Sequence, residues 1–146
     1  MESLNLTSKK IFCKIIEAMK GEQNLKIKNG IYLPLTVELL EENISTIFGN
    51  ANTYSFCHYY EQNGDLMQDP EMCFIFVDNR TDKSGDWEQV VILPYMYQVA
   101  AIAFEQSIFF EHQKVVQVKK GLQMKHVSLA DQWMSQIHAL GFLKFI

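Results

Sequence analysis

Five side chains that can bind a metal ion or transfer a proton lie close together near the middle of the chain. They are His58, Glu61, Asp65, Asp69 and Glu71, all within the stretch HYYEQNGDLMQDPEM. An imidazole with several carboxylates is the donor set of a metal-dependent hydrolase or nuclease, in which the metal activates a water molecule. Such chemistry needs the side chains to converge on one point, so the elements that carry them decide whether a site forms.

The predicted strand that carries His58 works against convergence. TYSFCHYYEQ (53–62) is rich in residues that favour β-strands. Alternation along this strand places His58 on one face and Glu61 on the other, and only a β-bulge between them would bring the two together. A metal-dependent hydrolase or nuclease is therefore the alternative hypothesis. Its ligands would be His58, Glu61, Asp65 and Asp69.

Turn chemistry explains most of the acidic residues without catalysis. Asn63-Gly64-Asp65 predicts a turn with positive φ at Gly64, and Asp69-Pro70 predicts a second one. Leu66 and Met67 would fold back between them as an apolar plug. We therefore expect residues 63–71 to form a shaped loop on a stiff hairpin that residues 62 and 71 close, and such loops often bind partners. The candidate binding residues are Tyr60, Glu61, Asn63, Gly64, Asp65, Met67, Asp69 and Glu71.

Cysteine usage favours a reducing compartment. Three cysteines, Cys13, Cys57 and Cys73, are an odd number and include no CxxC pair. All three lie in apolar elements, where burial raises the pKa of a thiol and makes it unreactive. In the predicted hairpin, Cys57 would pair near Phe76 and Cys73 near Tyr60, so we expect no disulfide. With no apolar leader segment at the N-terminus, these features predict a cytosolic protein.

Charge and motif content exclude several function classes. The net charge is −4, and residues 38–88 alone carry eleven acids against Arg80 and Lys83. This distribution argues against direct nucleic-acid binding, which needs clustered Lys and Arg, but it suits a basic protein partner. The longest apolar run, 90–104, is broken by Pro94 and is shorter than the roughly 20 residues of a membrane span. No phosphate-binding, dinucleotide-binding or zinc-protease motif is present, so we expect no cofactor.

Hydrophobic periodicity predicts one α+β domain over residues 1–146. A first helix, capped by Thr7 or Ser8, buries a stripe at Ile11, Ile15 and Met19. The last helix is marked by apolar residues at spacings of three and four, together with a C-terminal Gly141. Its stripe is Leu122, His126, Leu129, Trp133, Ile137 and Leu140. The strands between the helices are predicted at 25–28, 35–43, 53–62, 71–78 and from 87 to 94, with a further one near 103–110 in a segment (95–112) that also fits a helix. This order favours an antiparallel meander of about five strands flanked by the two helices.

Two of the predicted strands are apolar on both faces, which requires a second cover for the sheet. Met72, Phe74 and Phe76 alternate with Cys73, Ile75 and Val77. In a sheet with one solvent-exposed face, every second residue would instead be polar. Segment 95–112, the FLKFI tail or a second copy of the chain could supply the cover, the last as a homodimer. An aromatic surface could instead form a protein interface. Its candidate residues are Phe109, Phe110, Phe142, Phe145 and Ile146.

The run HYYEQNGDLMQDPEMCF (58–74) resembles the signature of an uncharacterised family of small proteins from bacterial conjugative elements, plasmids and phages. IYLPLTVELLEEN (31–43), LPYMYQ (93–98) and the helix around Trp133 extend the resemblance. It implies an α+β fold with no assigned activity, so no catalytic role is carried over. Val99, Ala100 and Ala101 depart from the polar residues that this family tends to have after its Tyr-Gln step, which lowers the expectation of catalysis. The favoured interpretation is a non-enzymatic binding module with a protein partner, acting through residues 63–71 and an aromatic surface.

Overall fold

The computed structural model describes residues 1–146 and confirms an α+β fold in which two helices flank a mostly antiparallel sheet. The helices are α1 (Leu6–Ala18) and α2 (Lys120–Ala139), and short 3-10 helices cover Trp87–Gln89 and Phe142–Phe145. The strands are β1 (Asn24–Ile27), β2 (Leu35–Thr46), β3 (Gly49–Gln62), β4 (Asp65–Asp78), β5 (Val90–Val99), β6 (Ala103–Gln106), β7 (Ile108–Glu111) and β8 (Lys114–Val118). Neither helix has the length and apolar character needed to cross a membrane.

The sheet has eight strands rather than the predicted five, and it curls on itself. Its order is β6-β5-β4-β3-β2-β8-β7, with β1 added on β2. Strands β2 to β6 form the predicted meander. Because β6 and β7 occupy opposite ends of this order but are separated only by Ser107, the two ends must come together. The Ser107 amide donates to the carbonyl of Tyr95 at 2.9 Å, which ties the junction to β5.

The ambiguous segment 95–112 is extended, as we favoured, but it is divided differently from the prediction. Strand β5 continues to Val99, and β6 and β7 replace the single strand expected at 103–110. Strand β8 was not predicted, because its sequence KVVQV is short and flanked by lysines. It pairs with β7 antiparallel and with β2 parallel, through Ser45 and Lys114. Ser45 and Lys114 are about seventy residues apart in the sequence, so no local sequence pattern predicts that β8 pairs with β2.

Helix α1 begins earlier than predicted. Asn5 is the N-cap, and its side-chain oxygen accepts a hydrogen bond from the Ser8 amide at 2.9 Å. The prediction of Thr7 or Ser8 was wrong because Asn caps as well as Ser does, and Ser8 is buried within the first turn. The apolar stripe lies as predicted, with Ile11 and Ile15 buried against the sheet.

The larger core lies between the helices and the outer face of the sheet. At its centre the Phe12 ring stacks on Phe56, with 4.7 Å between ring centroids, and meets Phe74 edge-on at 5.2 Å. From α2, Trp133 and Ile137 join the same cluster. This packing fixes the position of both helices over β3 and β4.

The inner face of the curled sheet holds a second, smaller core, which confirms that the two-sided strands need a second cover. Ile75 and Val77 of β4 pack there against Ile108 of β7, with Phe110 beside them. Segment 95–112 therefore supplies part of the cover. The tail does not, because Phe142 belongs to the helix-side core. Of the predicted surface aromatics, Phe110 and Phe142 thus complete the two cores, whereas Phe145 and Ile146 are exposed.

The β3–β4 hairpin has a different register from the one predicted. Gln62 pairs with Asp65, so the hairpin closes at Asn63-Gly64, where both residues have positive φ, 54° and 85°. Residues 63–71 are consequently a two-residue turn followed by strand, not a loop, and Leu66 is exposed rather than an apolar plug. The register follows from Asn-Gly being the strongest two-residue hairpin signal. Opposite His58, β4 has a β-bulge at Asp69 and Pro70, which shifts the pairing register of the residues that follow.

The new register moves the cysteines relative to the prediction. Cys57 pairs with Glu71 and Cys73 with Ser55, and all three cysteines of the chain are free and buried. Burial raises the pKa of Cys13 to about 11 and the pKa values of Cys57 and Cys73 to about 12. The expected burial of all three thiols is confirmed.

A buried ion pair anchors the polar loop that follows β4. The guanidinium of Arg80 donates to both carboxylate oxygens of Asp78, at 2.9 Å and 3.0 Å, and to the Lys83 carbonyl at 2.9 Å. The Arg80 side chain is only 2% exposed, and its guanidinium carbon lies 4.5 Å from the ring centre of Trp87. Burial alone would raise the pKa of Asp78, but hydrogen bonds from Arg80 and Lys83 outweigh it and hold that pKa near 2. The loop is therefore fixed to the body of the protein.

Candidate functional site

The five chemically capable side chains of residues 58–71 do not converge. Glu61 and Asp65 are exposed at the end of the hairpin. Glu71 turns to the inner face of the sheet, while His58 and Asp69 line a cleft beside α2. No group of three or more His, Cys, Asp or Glu side chains is arranged to hold a metal ion. The ligand set of the metal-dependent alternative is thus not assembled.

His58 and Asp69 instead belong to an apolar cleft of about 640 Å³ between α2 and the strands β3, β4 and β5. We call it the binding cleft. Its walls contain nine hydrophobic residues and no Lys, Arg, Ser, Thr or Cys. The lining residues are Tyr32, Leu33, His58, Asp69, Pro70, Met72, Tyr97, Leu129, Gln132, Trp133, Gln136, Ile137, Leu140 and Phe142. A volume in this range suits a small molecule or the side chains of a bound peptide.

His58 is held in one orientation within the binding cleft. Its Nδ1 lies 3.1 Å from the carbonyl oxygen of Leu33 and 3.2 Å from that of Pro34. Because carbonyls only accept hydrogen bonds, Nδ1 carries the proton and Nε2 carries the lone pair in the neutral ring. Burial lowers the pKa of His58, and the two carbonyls and Asp69 oppose that shift only in part. The ring also contacts Trp133 and Phe142, each with 5.5 Å between ring centroids.

The mouth of the binding cleft has an exposed apolar rim. Ile31, Tyr32 and Leu33 are 97%, 44% and 39% exposed, although they are consecutive large apolar residues. Exposed apolar groups that adjoin a cleft mark interaction sites more often than scattered ones do. The sequence contained a signal for this rim, since IYL lies outside any predicted strand, between the Asn29-Gly30 turn and Pro34.

Asp69 is the one charged side chain in the wall of the binding cleft. No Lys or Arg lines the cleft to pair with it, and the lowered pKa of His58 keeps the neighbouring imidazole neutral near pH 7. The aromatic faces of Tyr32, Tyr97 and Trp133 add negative potential. The cleft therefore suits a group that is apolar along its length and positively charged at one end.

Glu71 has a structural role on the opposite face of the sheet. Its carboxylate accepts hydrogen bonds from the Ser55 hydroxyl and from the Gln98 amide. Simple alternation along β4 would place Glu71 on the same face as Asp69. The bulge at Asp69 and Pro70 interrupts that alternation, so Glu71 lies on the opposite face. This separation removes Glu71 from the set that could act together with His58.

Two histidines with lowered pKa values predict that acid weakens the fold. His126 is fully buried, hydrogen-bonded to the Ser107 hydroxyl at 2.8 Å, and burial lowers its pKa as it does that of His58. The unfolded chain takes up a proton near pH 6.5 and the folded protein only at lower pH, so stability falls as pH drops below 6.5. The loss between pH 7.5 and 5.5 has an upper limit of about 1.4 kcal/mol for each of the two histidines, reached when the folded imidazole stays neutral throughout.

Urea unfolding at pH 7.5, 6.5 and 5.5 measures this dependence. His126→Gln should flatten the profile relative to that of the wild-type protein. A wild-type free energy of unfolding that rises on acidification would contradict the assignment of neutral, buried imidazoles.

Fold and cleft together define a small α+β protein with a curled, mostly antiparallel sheet and an apolar cleft beside its C-terminal helix. Residues 10–143 match the family described as "Domain of unknown function (DUF6908)", and the chain belongs to that family. No curated protein and no solved structure matches the chain significantly. The expectation of an uncharacterised family is confirmed.

Proposed function

We propose that the protein is a non-enzymatic binding module that holds a segment of a partner protein in the binding cleft. The observation that supports this most strongly is the cleft of about 640 Å³ whose apolar wall continues into the exposed rim at residues 31–33. Such a surface costs solubility unless something covers it, and peptide segments commonly dock into preformed apolar grooves.

The composition of the cleft wall favours binding over catalysis. Acyl or phosphoryl transfer needs an activated nucleophile beside a base, and no Ser, Thr, Cys or Lys lies in the wall. His58 has a free Nε2 that could accept a proton, but Asp69 carries the only carboxyl group in the wall. The hydrolase or nuclease alternative also requires Glu61 and Asp65 as ligands, and neither residue lines the cleft.

The partner segment in this proposal carries a basic side chain flanked by apolar ones. A Lys or Arg side chain would place its apolar stem against the aromatic wall and its charge near Asp69. The exposed end of the β3–β4 hairpin extends from the same border and adds two acids, Glu61 and Asp65. The predicted binding residues of the hairpin would thus act as a second contact zone, with Tyr60, Asn63, Gly64 and Met67 supplying its shape.

Three further expectations belong to this proposal. The partner would be a different protein, and a second copy of the chain is an alternative occupant that light scattering would detect as a dimer. The location would be the cytosol, which suits three free and buried thiols. The gene would derive from a bacterial mobile element, as the resemblance of residues 58–74 implies.

A matched pair of leucine variants tests the proposed cleft. Peptides are first selected for binding to the wild-type protein from a displayed random library. Leu33→Asn, at 39% exposure in the cleft wall, is then expected to lower the affinity for the selected peptides by about tenfold or more, because a neutral polar amide replaces apolar contact area without adding a charge that would attract a basic peptide. Leu40→Asn introduces the same change at 44% exposure on β2, outside the cleft, and should leave the affinity unchanged.

The outcome of that comparison is decisive in both directions. The selection of peptides rich in Lys or Arg with apolar neighbours would support the proposal, provided that Leu33→Asn and Asp69→Asn lower their affinity and Leu40→Asn does not. Equal affinity of the Leu33 and Leu40 variants, or the selection of no peptides, would rule out the binding cleft as the recognition site.

A further inference from the structure

We infer a second, independent binding site for a small molecule that carries a phosphate group. It is a cleft of about 560 Å³ between α1, the end of α2 and the loop after β4, which we call the basic cleft. Its lining residues are Thr7, Lys10, Ile11, Cys13, Lys14, Glu17, Lys83, Ser84, Trp87, His138 and Leu143. None of them lines the binding cleft, so this inference does not depend on the proposed function.

The charge of the basic cleft is opposite to that of the chain. Three lysines face one acid, Glu17, in its wall, although the protein as a whole has a net charge of −4. Lys10 and Lys14 are one helical turn apart on the exposed side of α1, and neither forms a salt bridge. Like charges one helical turn apart repel each other, and a bound anion would relieve that repulsion.

Several contacts hold Trp87 in the wall of the basic cleft. Arg80 and Lys10 lie over its ring, at 4.5 Å and 6.0 Å from the ring centre, and its carbonyl accepts a hydrogen bond from the Lys9 ammonium at 3.2 Å. The bidentate contact between Arg80 and Asp78 fixes the loop after β4, which carries Lys83 and Ser84. Lys83 also contacts Asp78, at 3.0 Å, but its side chain is 60% exposed and can turn toward a ligand.

The lining points to a phosphorylated compound rather than to a free ion. Ammonium groups together with the Thr7 hydroxyl offer several donors to phosphate oxygens. The volume is far larger than one phosphate ion needs and falls in the range of small-molecule sites. Ile11, Trp87 and Leu143 supply an apolar wall for the remainder of the ligand. A nucleoside monophosphate has this combination of a charged end and an apolar ring.

Tryptophan fluorescence can report on the basic cleft alone. The chain has two tryptophans; Trp87 lines the basic cleft and Trp133 the binding cleft. In Trp133→Phe the remaining signal comes from Trp87. The probes are adenosine monophosphate, inorganic phosphate and adenosine, titrated at constant ionic strength. We expect a saturable change with adenosine monophosphate, a weaker one with inorganic phosphate and none with adenosine. Calorimetric titration of the wild-type protein with the same probes gives a second readout that does not depend on how this variant folds.

A charge-matched pair of double variants provides the control. The double variant Lys10→Glu with Lys14→Glu should lower the affinity for adenosine monophosphate by about tenfold or more, because at least one charge-assisted contact is lost. Lys26→Glu with Lys28→Glu changes the net charge equally on an exposed region outside the basic cleft and should not affect binding. Three results would overturn the inference: no saturable response to adenosine monophosphate, equal binding of adenosine, or equal weakening by both double variants.

Discussion

Replacing Phe12 with alanine is expected to lower the free energy of unfolding by about 3–5 kcal/mol, the largest loss that we expect from one truncation. Phe12 is fully buried and its ring contacts four other rings, those of Tyr54, Phe56, Phe74 and Phe76, at centroid distances from 4.7 to 6.3 Å. Removing it leaves a cavity that neighbouring strands cannot fill, because their backbones are fixed by the sheet. Urea unfolding of the purified variant measures the loss.

A second phenylalanine provides the control for that experiment. Phe104 on β6 is 64% exposed, so Phe104→Ala should change stability by less than about 0.5 kcal/mol. Phe12→Leu keeps most of the apolar volume and should fall between the two. If Phe12→Ala were no more destabilising than Phe104→Ala, the packing of α1 on the sheet would be wrong.

Replacing Asp78 with alanine is expected to cost about 3 kcal/mol, although it removes only a short side chain. The cost arises because the guanidinium of Arg80, 2% exposed, loses its counter-charge and two hydrogen bonds at once. Breaking one member of a buried ion pair typically costs about 3–5 kcal/mol. We take the lower end because Asp78 itself is 17% exposed and water can partly reach the vacated position.

The ion-pair account makes a stricter prediction for a double variant. Asp78→Ala with Arg80→Met removes both charges and should be less destabilising than Asp78→Ala alone, because no unpaired charge is left buried. Asp82→Ala is the surface control, since Asp82 is exposed and its carboxylate accepts hydrogen bonds only from Ser84. The explanation would be contradicted if the double variant lost as much free energy of unfolding as Asp78→Ala and Arg80→Met lose together.

Local patterns in the sequence predicted much of the fold. The spacing of Ile11, Ile15 and Met19 identified α1, and the apolar alternation of residues 72–77 required a sheet covered on both faces. Strand β8 and the curling of the sheet could not be predicted, because they depend on a contact between Ser45 and Lys114 that brings together distant parts of the chain. The 63–71 loop was predicted because Asp69-Pro70 was interpreted as a turn, whereas the two-residue turn at Asn63-Gly64 sets the register by pairing Gln62 with Asp65.

The candidate site was less predictable than the fold. His58 and Asp69 were identified by residue type, but their environment comes from Leu33, 25 residues earlier, and from Trp133, in the last helix. Trp133 was predicted only as a core residue; it packs in the core with one edge in the cleft wall. Arg80 lies in a polar loop that the sequence pattern assigns to solvent, and its burial also involves a contact with Cys13 of α1, 67 residues earlier. Sites built from contacts across the chain leave no spacing pattern to detect.

The most direct test of the central claim uses the two indole N–H signals in a nitrogen-15 correlation spectrum of the protein. Trp133 lines the binding cleft and Trp87 does not, so each signal reports on a different cleft. During titration with a peptide selected as described above, we predict that the Trp133 signal moves and saturates while the Trp87 signal stays in place. Movement of the Trp87 signal without movement of the Trp133 signal would contradict recognition through the binding cleft.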